Sequence, residues 1–482
     1  MLLNELFEGS PDIEIKQLSI DSRVPMKDCI FFCITGIRYN GHDYIDEAIK
    51  NGANVIVYEN NINTDRNAIF IKVNNVAKCL NAISGKFYDY PAKSIETYLI
   101  GGCEGQSSVS HIINSLLNNY KSCGSIGSLG IDYGNHHLST SSQTLTILDN
   151  QKYLNEFRNN KIEVATFETN ALSLTYNKLD CIFPDVFIYT STNKLSKSFL
   201  EIEVNYFDAM CNYLYSLDED VIFILNKDDI SFNDLNLATG KNTFTYGQDA
   251  NSDFVISDIL LLKDFSTFKI TYSNSSYTIN TKLLGLNNVY NVTAALAALI
   301  AKGYNIDNLI NDLLNVKQVE GIIERVELEN YNIYIDCASN LNDIKDVYEY
   351  AKSIKQKNSK IYTIWGINYF DEIDNIKKIA ELSDNSIDHI IFTENNTYAG
   401  NINEIINEIS KYFKNINMLF IEDREIAIES AIELLNSQDI LLILGKGNET
   451  TITRNLGKQA YKGDKNVVID FLNMNKENDD IQ

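Results

Sequence analysis

Residues 96–119, ETYLIGGCEGQSSVSHIINSLLNN, constrain the fold of this chain more than any other stretch. Tyr98, Leu99 and Ile100 make a short apolar run, which predicts a strand. Gly101 and Gly102 end it, and Gly105 permits a tight turn beside whatever binds there. Val109, Ile112, Ile113, Leu116 and Leu117 then fall at i, i+3, i+4, i+7 and i+8, one buried face of a helix. Strand, glycine turn and helix in that order aim backbone N–H groups at an anion, most often a phosphate. Gln106 stands where such a loop carries its phosphate-binding lysine. Ser107 and Ser108 supply the two hydroxyls that follow. The stretch has the shape of a nucleotide loop without its fixed positive charge. A glycine-rich turn with no ligand fits the same residues.

With 482 residues, two to four domains are expected. The net charge of −24 argues against a nucleic-acid groove or an anionic membrane surface, though not against a local basic pocket. The eight cysteines form no CxxC pair, and Cys29 and Cys33 have no matching second pair, so no zinc site is expected. Buried thiols in a reducing cytosol account for them. The opening MLLNELFEGSPDIEIK lacks a basic region and a long apolar run, and no apolar segment reaches membrane length. A cytoplasmic protein with no membrane insertion and no nucleic-acid partner is expected.

In chain order the expectation is α/β throughout, with three domains at 1–95, 96–325 and 326–482. In the first, IKQLSIDSRVPMKDCIFFCITG offers two strands flanking Asp21, Ser22 and Arg23. Ile45, Ala48 and Ile49 then form a helix stripe, and Ala53, Val55 and Val57 alternate as a strand. In the second, the alanine-rich GLNNVYNVTAALAALIA is a core helix. In the third, the runs IYIDCAS, KIYTIWGI, HIIFTE and DILLILGKG alternate with helical segments, the pattern of a doubly wound parallel sheet.

The glycine stretch resembles the ATP loop of the Mur ligase family, T-G-T-N-G-K-T-T, with residues 101–108 in register. Further landmarks follow in order over nearly the whole chain. They are most similar to the branch that adds the third residue to a uridine-linked muramoyl peptide. Asp21-Ser22-Arg23 and the stretch from Gly36 to His42 resemble that branch's D-S-R and G-x-x-x-D-G-H motifs, with Asn40 replacing the Asp. The resemblance implies a first domain that holds uridine diphosphate through Ser22, Arg23 and His42; a capped and pinned turn is the plainer reading. Thr140 stands in a segment similar to the muramoyl-contacting T-T-P-E-S-L, where Ser141 and Ser142 replace the Pro and the acid. Glu168 stands at the magnesium-ligand Glu of E-V-S-S-H, with Leu172 at its His. A carboxylate at a strand end suits a hard cation beside phosphates, and it also suits an ordinary loop.

The central domain is then expected to be ATPase-like with a degenerate phosphate loop, and the last to be Rossmann-like. The resemblance assigns Gly102, Gly105, Gln106, Ser107, Ser108, Asn288, Asn291, Arg325 and Asp336 to the nucleotide site. It puts Leu195 and Ser196 at an Asp-His pair whose His binds metal, and Met210 at a carbamylated lysine. Methionine is a poor magnesium ligand and a good core filler. The amino-acid-selecting D-N-P-R becomes Asn395-Asn396-Thr397-Tyr398, while Lys446 survives in a segment similar to G-K-G-H-E.

The family reaction joins an acid to an amine through an acyl phosphate, and phosphoryl transfer works by positioning and charge neutralisation. Losing one preorganised charge-stabilising group costs roughly a hundred- to a thousandfold in rate. No catalytic set is intact here: the loop lysine, the metal His, the carbamylated lysine and the selecting Arg are all absent. Lys194 or Lys197 serving the phosphate would explain one absence, not four. Two expectations follow. The first is a degenerate homologue, a pseudoenzyme with a binding, scaffold or regulatory role in peptidoglycan precursor metabolism. Its partner would be a uridine-linked muramoyl peptide or a cell-wall synthesis protein. The second is an active ATP-dependent acid–amino-acid ligase with altered substrate. ATP and magnesium are expected only with the second.

Overall fold

The computed structural model describes residues 1–36, 39–138, 145–169, 173–174, 178–192, 200–240, 242–328, 330–367, 373–397, 402–414, 416–455 and 457–479. These form two compact units, Met1–Leu225 with Asp229–Thr243, and Asn226–Asp228 with Phe244–Gln482.

The first unit opens with a small parallel sheet in chain order: β1 (Gln17–Ser19), β2 (Cys29–Phe32), β3 (Ala53–Tyr58) and β4 (Ile69–Lys72). Side chains alternate between its two faces. Ile30, Phe32, Val55 and Val57 pack with Val76, Leu80 and Ile83 of the helix Val76–Phe87. Cys29, Phe31 and Ile56 pack with Ile45 and Ala48 of the helix Ile45–Lys50. A sheet covered on both faces buries nearly every strand residue, so Ile56 is buried beside Val55 and Val57.

β5 (Glu96–Gly101) is the middle of the five parallel strands of the unit's larger sheet, which holds β6 (Cys123–Gly127), β7 (Gly130–Tyr133), β8 (His136–Leu138), β9 (Val164–Glu168), β10 (Val186–Tyr189) and β11 (Ile222–Asn226). Their order is β11-β10-β5-β9-β6-β7-β8. Pairing is parallel from β11 to β6 and antiparallel through β7 and β8. The chain leaves β5 past β9 on one side and later returns past it to β10 on the other. Such a reversal opens a crevice at the carboxyl end of the central strand.

The second unit begins with β12 (Thr243–Gly247) and an antiparallel ribbon of β13 (Phe254–Leu261), β14 (Ser266–Tyr272) and β15 (Ser275–Thr281). The helix Leu286–Ala301 follows, buried along most of its length. A six-stranded sheet comes next: β16 (Glu324–Arg325), β17 (Asn332–Asp336), β18 (Ile361–Ile367), β19 (His389–Glu394), β20 (Asn417–Phe420) and β21 (Ile440–Leu444). Its order is β16-β17-β21-β18-β19-β20, parallel except at β16. Helices cover both faces, as the alternating pattern of the sequence predicts. The hairpin β22 (Thr451–Arg454) and β23 (Gly457–Ala460) precedes the final helix, Asp464–Asp479.

Candidate functional site

The strand, turn and helix expected of residues 96–119 are β5, a loop over residues 102–105, and the helix Gln106–Leu117. Val109, Ile112, Ile113, Leu116 and Leu117 are all 0% exposed, so the apolar stripe seats the helix on the sheet. Gly102 has φ +132, and a Cβ there would lie 2.2 Å from Thr190 Oγ1. Gly105, with φ +86, is the N-cap of the helix. Only glycine takes both conformations without strain. The loop is tied to the chain leaving β10: Cys103 N donates to Ser191 O at 2.8 Å, and Thr190 Oγ1 donates to Gly101 O at 3.1 Å.

Gln106 is turned onto this loop. Its Nε2 donates to Gly102 O at 2.5 Å and to Thr169 O at 3.3 Å. The amide therefore bonds protein carbonyls from the place where a lysine would present charge to a phosphate. Ser107 Oγ lies 2.8 Å from Ser128 Oγ. Ser108 Oγ and Thr169 Oγ1 are buried with no hydrogen-bond partner among the described residues. A cavity of about 660 Å³ runs from Ser107 and Glu168 past His111 and Asn114, over a floor that includes Ser125 and Asp132.

Glu168 ends β9 and accepts from Ser128 N at 3.0 Å. Burial pushes its carboxyl above the usual carboxylate range, against hydrogen bonds from Ser128 and Ser107. Among the described residues no three His, Cys, Asp or Glu side chains are placed to hold a metal. Glu168 and Ser107 are one carboxylate and one hydroxyl, half a set at most. A magnesium ion there would depend on phosphate oxygens for the rest. Met210 is 0% exposed within the apolar cluster that holds Leu99, Phe187 and Leu214.

The other expected nucleotide positions lie in the second unit. Asn288 and Asn291 are buried at the start of the helix Leu286–Ala301. Asn288 Nδ2 donates to Leu284 O at 2.8 Å, and Asn291 Nδ2 donates to Asn288 Oδ1 at 3.2 Å. Arg325 pairs with Asp264 at 2.9 Å. Asp336 accepts from Ile323 N at 2.7 Å and from Ala338 N at 2.6 Å. Burial pushes its carboxyl up to about 7.

The expected uridine-site residues are engaged within the protein. Buried Ser22 donates to Glu47, and Asn51 Nδ2 donates to Ser22 O at 2.7 Å. His42 Nδ1 lies 2.8 Å from Asn40 Oδ1, and its Nε2 accepts from Glu59 N at 3.2 Å. Arg23 pairs with its neighbour Asp21 at 2.7 Å and keeps 79% of its side chain exposed. Among the described residues no hydrogen bond joins Ser22 to His42. Thr140, Leu172, Lys194, Leu195, Ser196, Lys197 and Tyr398 lie outside the described residues. Sequence reasoning passed over Thr190, Ser128 and Thr169. Each follows the end of a strand beside β5 or its neighbours, and a hydroxyl closing an apolar run was the available signal.

A glycine loop at the carboxyl end of the middle strand of a parallel sheet, closing into a helix, defines an α/β protein of the phosphate-loop type. Three family models match successive stretches: the Mur ligase family catalytic domain over residues 14–88, the Mur ligase middle domain over 100–299, and the Mur ligase glutamate ligase domain over 323–447. The chain belongs to the Mur ligase family. It is 27% identical over 450 residues to a UDP-N-acetylmuramoyl-L-alanyl-D-glutamate--2,6-diaminopimelate ligase of Oceanobacillus iheyensis, covering 91% of this chain and 90% of that protein. It is 28% identical over 492 residues to a UDP-N-acetylmuramyl-tripeptide synthetase of Borreliella afzelii, covering 98% and 96%. Among solved structures, a UDP-N-acetylmuramoyl-L-alanyl-D-glutamate--2,6-diaminopimelate ligase matches with TM-score 0.71 and 18% identity over 99% of both chains. A MurF ligase from Thermotoga maritima in complex with ADP matches with TM-score 0.65 and 17% identity, over 96% of this chain and 98% of that one. These two show the shared fold. Among the described residues no helix is long and apolar enough to cross a membrane.

Proposed function

We propose that this chain is a Mur ligase homologue that binds a uridine-linked muramoyl peptide without ligating it, as a carrier, scaffold or regulator in peptidoglycan precursor metabolism. The observation that carries the reading is Gln106. Its amide is spent on Gly102 O and Thr169 O, so the loop offers backbone N–H groups but no cation to a transferring phosphate. Transition-state stabilisation needs such preorganised charge, whereas binding needs shape and a few hydrogen bonds. The buried Met210 supports the same reading. The named relatives act on muramoyl peptides, which supports the ligand class. Three domains divided near 95 and 325, in the cytoplasm, are part of the proposal; the interval between the first two family models supports the first boundary, and the start of the third at residue 323 supports the second. Of Ser22, Arg23 and His42, Arg23 is the one with an exposed side chain, and a ligand phosphate would compete with Asp21 for it. Ser22 and His42 hold the turn and strand end.

A second reading, an active ATP-dependent acid–amino-acid ligase, is favoured by one observation. The hydroxyls of Ser108 and Thr169 are buried without partners beside the loop, and a bound phosphate would satisfy them. Calorimetry separates the two. The first reading expects weak or absent ATP–magnesium binding, saturable binding of a uridine diphosphate muramoyl peptide, and weakening by Arg23→Ala. ATP turnover that requires both the muramoyl peptide and an amine acceptor decides for the second.

A further inference from the structure

β20 (Asn417–Phe420) forms one edge of the second unit's six-stranded sheet, with β19 on its inner side. All four of its residues are exposed, Met418 by 38%, Leu419 by 49% and Phe420 by 37%. An open edge offers its main chain to any strand that can lie beside it, so monomeric proteins blunt such edges with charge, proline or a bulge. β20 carries none of these. The opposite edge of the same sheet is blunted: β16 is Glu324 and Arg325 alone.

The hydrogen-bond register shows which groups of β20 are left over. Successive residues of a strand turn their main chain to opposite sides. Ile421 N donates to Phe392 O at 3.0 Å. Asn417 and Leu419 therefore face β19 as well, and Met418 and Phe420 turn their N–H and C=O outward. Side chains alternate between the two faces of the sheet. Met418 and Phe420 lie on the face of Ile416, which packs on the core around Trp365 and Phe413. Leu419 lies on the face of Ile421, which packs on the core around Ile391 and Ile428. Apolar side chains thus flank the open main chain on both faces.

Two features fit this edge to a second copy of itself. The first is symmetry. An antiparallel partner must set outward-turned residues opposite outward-turned residues. A two-fold axis at Met418 does so: Met418 exchanges both hydrogen bonds with the same residue of the second copy, and Phe420 comes opposite Ile416. The second is charge. Exposed Lys414 precedes the strand and exposed Glu422 follows it. Counted along the same register, 414 falls opposite 422, so an ammonium meets a carboxylate at each end of the pairing. We propose that β20 is a dimerisation edge, joining two copies antiparallel about a two-fold axis at Met418 into one continuous sheet. Isologous pairing uses up both edges, so assembly stops at two. A contact built on one short strand is smaller than a permanent interface, so the dimer forms reversibly and only at high concentration. The edge belongs to the second unit's sheet alone, and the proposal does not rest on what the glycine loop binds.

The test is sedimentation velocity of the full chain over a concentration series. A reversible monomer–dimer equilibrium is expected, with Kd on the order of 10 to 100 µM. Met418→Lys puts two like charges at the axis and should weaken association about tenfold or more. Lys414→Glu should weaken it about threefold or more, and Lys414→Glu with Glu422→Lys should restore it. Thermal unfolding checks that each variant is folded. Hydrogen exchange reads the contact directly: amides of the stretch 416–421 should gain protection as concentration rises in the parent and not in Met418→Lys. A chain that stays monomeric at about ten times the upper Kd leaves the edge to a strand of another protein and overturns the proposal. So does a dimer unchanged in folded Met418→Lys, or a folded charge swap that fails to restore association.

Discussion

Met210 offers the sharpest test of why the loop region has the shape it has. A lysine at this place is what the family resemblance implies, so Met210→Lys restores the residue and asks whether the surroundings can use it. Met210 is 0% exposed. Its methyl carbon lies 3.1 Å from where a Cβ on Gly101 would sit, beside the Phe187 ring. A fully buried ammonium has its pKa lowered by about 3 to 5 units. The lower end applies because a lysine stem bends its charge toward water. Three units at about 1.4 kcal/mol each make a cost of about 4 kcal/mol at neutral pH. For a unit of this size that lowers the melting temperature by roughly 8 to 16 °C. The sign of the pH dependence follows. The unfolded lysine keeps its proton to about pH 10.4, while the folded one releases it near 7.4, so the variant regains stability as pH rises through that window. Met210→Leu, which conserves volume, should cost less than about 1.5 kcal/mol. The assay is thermal unfolding of parent and both variants from pH 6 to 10, with and without bicarbonate. A Met210→Lys protein as stable as the parent at pH 7, or one stabilised by bicarbonate, refutes the reasoning. Either result would mean that the side chain reaches a solvated, carbamylation-competent site rather than the core.

Gln106→Lys should tighten ATP or inorganic phosphate by supplying the missing charge, measured by calorimetry, yet produce no ligation, because no three His, Cys, Asp or Glu side chains among the described residues are placed to hold a metal. Arg424 is buried and pairs with buried Asp464 at 2.7 Å. Asp464→Ala strands that charge and should cost about 3 to 5 kcal/mol, read by denaturant unfolding, whereas Arg424→Met with Asp464→Leu should recover most of it. Asp336 ionises near 7 in the fold because burial disfavours its charge. Its contribution to stability is therefore full below pH 4 and is lost as pH rises through about 7. Asp336→Asn should flatten that part of the stability–pH profile while keeping an acceptor for Ile323 N.

Local pattern determined a good part of this protein. Two glycines, an apolar tripeptide before them and a five-residue stripe after them were enough to place β5, the loop and its helix, because turn conformation and helical period are properties of neighbouring residues. The apolar runs that became β17, β18, β19 and β21 were legible for the same reason, since strands buried on both faces read as continuous hydrophobic segments. The short edge strand β20 was not legible: its residues, NMLF, are exposed, so little burial marks them. The ribbon β13–β15 was missed because its strands are half polar and its pairing joins residues as far apart as Val255 and Thr271. The use each site residue is put to was decided by tertiary structure alone. Nothing near Gln106 in sequence says that its amide will meet Thr169 O. Nothing near Ser22 announces Glu47, and nothing near His42 announces the backbone of Glu59. Sequence position fixes which polar groups a site owns. Whether they stay open to a ligand depends on which acceptors the fold brings within about 3 Å, because a buried donor takes the nearest acceptor rather than go unpaired.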